Sequence, residues 1–265
     1  MEIIEQTDAW RRQYDGWKSK RSDDLTGYPF VENARAPFTP ARRAITMTNL
    51  ALIVSAGAYL EGTEAFDTSA PDGDFNLREI PSDIHLSDLR FAARGYDPTF
   101  VQQDANVQVP LERLMEFERN RIIGQLAPAF WSFCGFIPDA ARFAEETITQ
   151  LLTRLNRYDV QAALLIPASR LCHQSVGLVA RAIEQTGIPT VCLAVDRDGL
   201  DSVRPPRAGY WDGQPGSVAG EPNWPEHQRR LLDELLRWIE PMGQPGVRKL
   251  VVELETKVEV ARGER

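Results

Sequence analysis

The sequence has few residues of the kinds that hold structural metals or form disulfide frameworks. Its 265 residues include three cysteines and three histidines, and no two cysteines form a Cys-x-x-Cys pair. An odd number of widely spaced cysteines argues against a disulfide framework, and so few ligands argue against a structural zinc site. We therefore expect no metal site and a reducing, cytoplasmic location.

The sequence also lacks long apolar runs and an excess of basic residues. The best candidate for a bilayer span, residues 45–60, is short and contains Thr, Asn and Ser. The first residues are acidic, without the apolar run of a signal peptide. The formal net charge of −8 disfavours nucleic acid and anionic membranes as partners. We expect a soluble protein that binds a small-molecule substrate, with no nucleic-acid or membrane partner.

The chain is long enough for one large domain or two small ones, and 43% of it is hydrophobic. Residues 1–43 are polar and predict an N-terminal helix followed by an extended arm. Residues 44–265 predict an α/β domain, with two similar halves (44–158 and 159–265) as an open alternative. The aromatic residues Trp10, Tyr14 and Trp17 share one helical face, which we expect to dock on the body of the chain or on a second subunit. The second possibility predicts a homo-oligomer.

The clearest pattern lies between residues 159 and 195. Residues 161–167 are a continuous apolar run typical of a strand buried on both faces. A helical period follows from Cys172 to Gln185 and stops at Gly187, before a second buried strand at 188–195. A strand, a helix and a strand in this order predict parallel pairing with a right-handed crossover. The fold class that follows is a three-layer α/β sandwich with a mostly parallel, doubly wound (Rossmann/flavodoxin-like) sheet.

Other segments are less distinctive. The Gly-rich run at 213–220 lacks the Gly-Lys-Ser/Thr ending of a P-loop, so we interpret it as a mobile lid or a subunit contact. Patterns of apolar residues and turn residues predict strands at 44–55, 76–81 and 249–255, helices at 86–94, 111–121, 140–158 and 226–240, and a loop at 205–225.

Cys172 is the candidate for chemistry because of its place in the predicted strand–helix unit. In an open parallel sheet, ligands bind beyond the carboxyl ends of the strands, which is where the 161–167 strand leads. Unpaired N–H groups at a helix start favour thiolate over thiol and lower a cysteine pKa. Arg170 would add to this effect, and His173 could exchange a proton, although neighbouring helical residues do not face each other. The alternative is a small buried helix residue, as we expect for Cys134 and Cys192.

Further candidates for substrate binding stand at predicted strand ends and turns. Ser55 and Gly57 follow the first strand and could bind a carboxylate or phosphate through backbone N–H groups, unless they form an ordinary turn. Asp97 and Asp104 could bind a cation or a ligand amine, or simply cap turns. Ser175, one helical turn after Cys172, could help to position the substrate.

Several short motifs, taken in order, resemble a known family. They lie at residues 51–57, 73–75 with 78–81, 95–97, 104–106, 109–110, 123–124, 167–190 and 205–208. With this order and spacing, most of residues 44–240 resembles the selenoprotein B subunits of the glycine/sarcosine/betaine reductases and the related D-proline reductase subunit.

The resemblance implies a reaction and also a departure from it. Catalytic members carry selenocysteine or cysteine, then cysteine three positions later, and cleave a C–N bond reductively with a pyruvoyl-containing partner. Here Ser169 occupies the first of these positions and Cys172 the second. Because serine cannot form a selenenylsulfide or disulfide, a second sulfur or selenium must come from a partner or a small thiol.

Three hypotheses about function remain open. The leading one is a thiol enzyme that acts reductively on a small amino-acid-like substrate through Cys172, with Ser169, Arg170, His173 and Ser175 polarising or positioning the substrate. No resident cofactor is identified, so the electrons would come from an external thiol, a partner reductase subunit or a thioredoxin-like donor. The alternatives are a redox-neutral thiol lyase or isomerase, and a non-catalytic binding or accessory subunit that has lost the redox pair.

Overall fold

A twisted parallel sheet organises the computed structural model, which describes residues 2–20 and 25–252. The strands in these residues are β1 (Asn49–Val54), β2 (Ala58–Leu60), β3 (Arg78–Pro81), β4 (Leu89–Phe91), β5 (Gln125–Leu126), β6 (Ala129–Ser132), β7 (Ala162–Ile166), β8 (Thr190–Ala194), β9 (Arg207–Tyr210) and β10 (Gly246–Lys249). The helices are α1 (Thr7–Lys18), α2 (Thr99–Gln103), α3 (Leu111–Arg119), α4 (Ala140–Phe143), α5 (Thr149–Arg157), α6 (Arg170–Gln185), α7 (Arg197–Val203) and α8 (Pro225–Leu236). A π-helical turn, Ala144–Ile148, joins α4 to α5.

The order of strands in the main sheet is β10-β9-β8-β7-β1-β6-β3, with the short β5 also beside β1. Each pair is parallel except β3 with β6, and β2 pairs with β4 in a separate antiparallel ribbon. From β1 the chain passes to β6 on one side and then crosses to β7 on the other. The topological switch point therefore lies between β1 and β7, where doubly wound sheets bind ligands.

Successive residues of the central strands pack into two separate cores. In β1, Ala51 and Ile53 belong to the core beneath α5 and α6, whereas Leu50, Leu52 and Val54 belong to the core beneath α3 and α8. This alternation follows from the two-residue period of a strand. With helices on both faces, the structure confirms the predicted three-layer α/β sandwich.

The predicted strand–helix–strand unit is present as β7, α6 and β8, with β7 and β8 parallel. The expected helix at 86–94 is wrong: a turn of 3-10 helix, Leu86–Asp88, leads into β4, whose short edge is stabilised by pairing with β2. Five strands were missed: the short β2, β4 and β5, β6 within an apolar run, and β9 within the expected loop at 205–225. The late edge strand is found at β10, ahead of its expected place, and residues 253–255 of that prediction lie outside the described residues.

The N-terminal segment packs on this chain's own body. Trp10 and Tyr14 of α1 are buried, their rings stack with centroids 5.1 Å apart, and the Trp10 indole donates to Pro29 O. The aromatic face that suggested a second subunit is thus covered within the chain, and a homo-oligomer stays a prediction. No helix among the described residues is long and apolar enough to cross a membrane.

Two buried arginines join the N-terminal arm to the rest of the fold. Arg181 of α6, fully buried, donates to the carbonyl oxygens of Glu2, Ile3, Arg35 and Arg204.

The second is Arg207 of β9, which is ion-paired with Glu184 of α6, and both side chains are fully buried. Arg207 also donates to Thr39 O, while Glu184 accepts from the Thr39 N–H. The arm thereby covers the outer side of α6, and every residue from Leu171 to Glu184 is buried.

Candidate active site

The ends of β1 and β7 are tied together at the switch point. Val54 is the register partner of Ile166, and the Ser55 N–H donates to Ile166 O at 3.1 Å. The Ser55 hydroxyl accepts from the Ala168 N–H at 3.0 Å. These bonds fix the turn that follows β7 and leads into α6.

Cys172 occupies the first turn of α6, as the sequence predicts. Ser169 is the N-cap, and its Oγ accepts from the Cys172 N–H at 3.2 Å. Such a cap satisfies one of the backbone donors that a helix start leaves unpaired. The same Oγ lies 2.9 Å from Cys172 Sγ and donates to it, while the thiol lies 3.8 Å from Ser55 O and donates to that carbonyl.

The thiol is buried, with Cys172 only 1% exposed. Burial raises the pKa of the Cys172 thiol, and this exceeds the opposing effect of hydrogen bonds from Ser169, Ser55 and the backbone of Ala168. The expectation of a lowered pKa therefore does not hold in this closed structure, because desolvation disfavours the charged form more than the helix start favours it.

Segments distant in sequence enclose the sulfur. The Gly135 N–H donates to Ser55 O at 2.9 Å, and a Cβ at position 135 would lie 2.5 Å from Ser55 Cβ and 3.1 Å from Cys172 Sγ, so this close approach requires glycine. Tyr96 packs against the cluster formed by Ala56, Ala168 and Cys172, and its hydroxyl donates to Ala56 O at 2.7 Å. The Gly216 N–H, from the Gly-rich run, donates to Ala168 O at 2.8 Å.

Sequence reasoning did not single out Tyr96 or Gly135 as site residues. Both come to Cys172 through the tertiary fold. The available signal was indirect: Tyr96 is part of the Gly-Tyr-Asp motif, and Gly135 ends the apolar run that includes β6.

Cys134, although next to Gly135, belongs to a different side-chain cluster from Cys172. Cys134 instead packs with Phe66 and Ala92, and burial raises its pKa to about 12. Cys192, the third and last cysteine of the sequence, is buried within β8.

His173 is held away from the thiol by three hydrogen bonds. Its Nδ1 lies 2.7 Å from Ser169 O, and its Nε2 accepts from the N–H groups of Val195 and Asp196, each at 3.2 Å. These partners place the proton on Nδ1, and burial lowers the pKa of the imidazole. His173 therefore joins α6 to the loop after β8, with both ring nitrogens engaged, rather than facing Cys172.

Two other predicted residues of α6 differ in exposure. Arg170 is largely exposed, lies 3.7 Å from Asp196 Oδ2 and extends over the Phe30 ring. Ser175 is buried, and its hydroxyl donates to Gly135 O at 2.7 Å. Ser175 thus supports the Gly135 wall of the site, while Arg170 is the cation that solvent can reach at the start of α6.

The remaining predicted residues make contacts typical of turns. The Gly57 N–H donates to Phe133 O at 3.0 Å, so this group and the Ser55 N–H already have protein acceptors. Asp97 accepts from Thr99 at the start of α2, and these bonds lower its pKa.

Asp104 has lost part of its hydration, which opposes ionisation, yet its pKa is lowered because Gln228, Asn223 and Asn106 donate to it. These contacts agree with the turn-capping alternative for Asp97 and Asp104, and ligand binding by them stays a prediction. Among the described residues no three His, Cys, Asp or Glu side chains are grouped so that they could share a metal ion.

A comparison with known families bears on what this site does. Residues 18–168 match the family model described as glycine/sarcosine/betaine reductase selenoprotein B, which is more than half of the chain. The chain belongs to this family. The match ends one residue before Ser169, so it covers β1, β7, Tyr96 and Gly135 but neither the cysteine itself nor the Gly-rich run.

Individual relatives agree with this assignment. The D-proline reductase subunit gamma of Acetoanaerobium sticklandii is 32% identical over 202 residues, which are 76% of this chain and 82% of that subunit. The glycine reductase complex component B subunit gamma of Symbiobacterium thermophilum is 27% identical over 66% of this chain but 41% of its own length. The sarcosine reductase complex component B subunit beta of Peptoclostridium acidaminophilum is 28% identical over 64% of this chain and 39% of its own length. By name these relatives are subunits or components of reductases, and the chain spans well under half of the last two.

Proposed function

We propose that this chain is a subunit of a multicomponent reductase that acts on a small amino-acid-like substrate, with Cys172 as its thiol nucleophile. One observation carries the proposal. In a member of the reductase family, a cysteine lies in the first turn of a helix at the sheet's switch point, with the Ser169 hydroxyl 2.9 Å from its sulfur. Ser169 orients the sulfur, and Arg170 at the rim is the group that suits a substrate carboxylate.

The proposed reaction uses two thiols. The Cys172 thiolate attacks the substrate carbon, a C–S bond forms as the C–N or related bond breaks, and the amine leaves with a proton. A second thiolate then attacks the Cys172 sulfur. A disulfide forms, the carbon leaves with the electron pair and takes a proton, and the substrate is reduced by two electrons.

The second thiol in this scheme comes from outside the chain. Ser169 has no sulfur, and Cys134 packs in a separate cluster with Phe66 and Ala92. A partner reductase subunit, a small thiol or a thioredoxin-like protein would attack Cys172 and then be reduced again. We propose the cytoplasm as the setting, since its glutathione and thioredoxin systems supply such electrons.

Two alternatives each have an observation in their favour. Burial of Cys172 with a raised pKa, together with Ser169 in the first redox position, favours a non-catalytic accessory subunit. A single cysteine at the rim favours a redox-neutral lyase or isomerase, whose thiol would return unchanged after each turnover.

The test is an activity assay on the native complex. The tagged chain is purified with its associated proteins from its own host, and release of amine from small amino acids is followed with and without a dithiol donor. Cys172→Ala and the matched variant Cys134→Ala are compared. We expect dithiol-dependent activity that Cys172→Ala abolishes and Cys134→Ala retains. Activity without a donor would indicate the lyase, and full activity of Cys172→Ala would indicate the accessory subunit; either result overturns the proposal.

A further inference from the structure

A cavity of about 570 Å³ has in its wall Phe91, which also packs against the cluster that contains Cys172. Its walls come from β2, β4, α2 and the turn before α3. Lining residues that matter here are Tyr59, Phe91, Pro98, Asp104, Asn106 and Glu112. We call this space the outer cavity. It is large enough for a small molecule.

One stretch of chain contacts both the outer cavity and the cluster that contains Cys172. Phe91 lines the cavity and also packs against the cluster formed by Ala56, Ala168 and Cys172. Tyr96 packs on the same cluster, and Pro98 returns to the cavity wall. We call residues 91–98 the cover segment. A Cβ at position 95 would lie 3.2 Å from Ser169 Cβ, so this segment directly contacts the N-cap of α6.

The cover segment is held by individual hydrogen bonds and side-chain packing; the Cys134 thiol donates to Ala92 O, and the Arg94 guanidinium lies 4.7 Å from the centroid of the Phe136 ring. Beyond Phe91, the end of β4, its main chain is irregular. The Ala92 N–H donates to Gly57 O at 2.9 Å, and the Arg94 guanidinium donates to Ala70 O at 2.6 Å. Nearest the thiol, the attachment is the Tyr96 hydroxyl bound to Ala56 O. Segments of this kind open at a fraction of the free energy of global unfolding.

We propose that the outer cavity is the entry and binding site for small molecules that react at Cys172, and that the cover segment moves aside to admit them. The lining favours cations over anions. Among the described residues that line the cavity, Asp104 and Glu112 are acidic, with Glu112 paired to Arg113 at 2.9 Å. The Asn106 Oδ1 is buried with no hydrogen-bond partner, and the lining cation Arg90 is paired with Glu61. The inference deepens the proposed role of Cys172, but its test does not depend on any catalysed reaction.

The first measurement is the labelling rate of Cys172 in the folded protein, read by peptide mass spectrometry. The probe is 2-aminoethyl methanethiosulfonate, a small cation. Its RS group bonds to the Cys172 sulfur, methanesulfinate leaves, and the thiol proton passes to solvent. Tyr96→Phe should raise the rate about 2- to 10-fold, the range for one lost hydrogen bond. The matched variant Tyr210→Phe, which loses a surface hydroxyl on β9, should leave the rate unchanged.

Cys192 reports on global unfolding in the same samples, since it lies in the middle of the sheet. We expect Cys172 to react faster than Cys192 and only Cys172 to respond to Tyr96→Phe. Equal rates for the two cysteines in every variant would mean that Cys172 reacts only after global unfolding, and the proposal would be overturned.

The second measurement tests the route. The ratio of labelling rates with the cationic reagent and with the anionic 2-sulfonatoethyl analogue should exceed one. Glu112→Gln should lower this ratio by about 4- to 9-fold, because one charge about 7 Å from the path in water changes the rate of each reagent by about 2- to 3-fold, in opposite directions. Glu145→Gln, which removes the same charge on the π-helical turn, should leave it unchanged. Equal effects of the two variants would show that the reagents reach Cys172 by another path. That result would overturn the inference while leaving the proposed reductase role testable by the activity assay.

Discussion

Replacing Ser169 by cysteine should give the chain the second sulfur that it lacks. The Ser169 Oγ lies 2.9 Å from Cys172 Sγ. A sulfur in place of this oxygen needs to approach by less than about 1 Å to reach the disulfide bond length of about 2.0 Å. We therefore expect Ser169→Cys to form an intramolecular disulfide with Cys172 under mild oxidation.

The energetics of this variant depend on its redox state. Loss of the Ser169 cap, whose Oγ accepts from the Cys172 N–H, should cost about 1 kcal/mol in the reduced form. Closing a loop of this length should restrict the unfolded chain by about 2 kcal/mol. The oxidised variant should then be about 1 kcal/mol more stable than the parent, and the reduced variant about 1 kcal/mol less stable, in urea unfolding.

The assay counts thiols in the denatured protein after oxidation in a glutathione buffer. The parent has three cysteines, so Ser169→Cys has four thiols when reduced and two when oxidised. The double variant Ser169→Cys/Cys172→Ala should retain three thiols under both conditions. Four thiols in oxidised Ser169→Cys would show that position 169 does not face Cys172, and the reasoning about a missing redox partner would fail.

Two further predictions follow from burial. Because the folded-state pKa of Cys172 is raised above its ordinary 9.0, its alkylation rate should still be rising above pH 9, and a rate that levels off below pH 8 would contradict this. For the same reason, the stability contributed by the neutral thiol should be present below pH 9 and lost above it. Arg207→Met leaves the carboxylate of Glu184 buried without its cation and should cost about 3–5 kcal/mol in urea unfolding. Arg11 is half-exposed and also ion-paired, so Arg11→Met should lower the free energy of unfolding by less than about 1 kcal/mol. Similar losses for Arg11→Met and Arg207→Met would refute the distinction between a buried and an exposed ion pair.

The sequence predicts the centre of the fold because that information is local. Continuous apolar runs identify β7 and β8, and the helical period between them identifies α6. Together they place Cys172 at the start of a helix beside the switch point. β6 and β9 escaped detection because each is only four residues long and its stability comes from neighbours in the sheet.

Burial of the thiol could not be predicted in the same way. Tyr96 packs on the cluster that contains Cys172, and Gly135 lies against the sulfur; neither residue lies within 30 residues of Cys172 in sequence. The environment of a thiol determines its pKa, and here the burial that raises the pKa depends on these tertiary contacts, while the local hydrogen bonds from Ser169 and Ala168 oppose it. The position of Cys172 on α6 was therefore predictable, whereas the direction of the shift in its thiol pKa was not.

The buried guanidinium of Arg181 makes the fold sensitive to cleavage of the main chain near the amino terminus. Because it is a buried cation whose acceptors come partly from Glu2, Ile3 and Arg35, removing the first forty residues would leave it in an apolar interior with most of those acceptors gone. Proteolytic cleavage near the amino terminus would accordingly destabilise α6, the helix that carries Cys172.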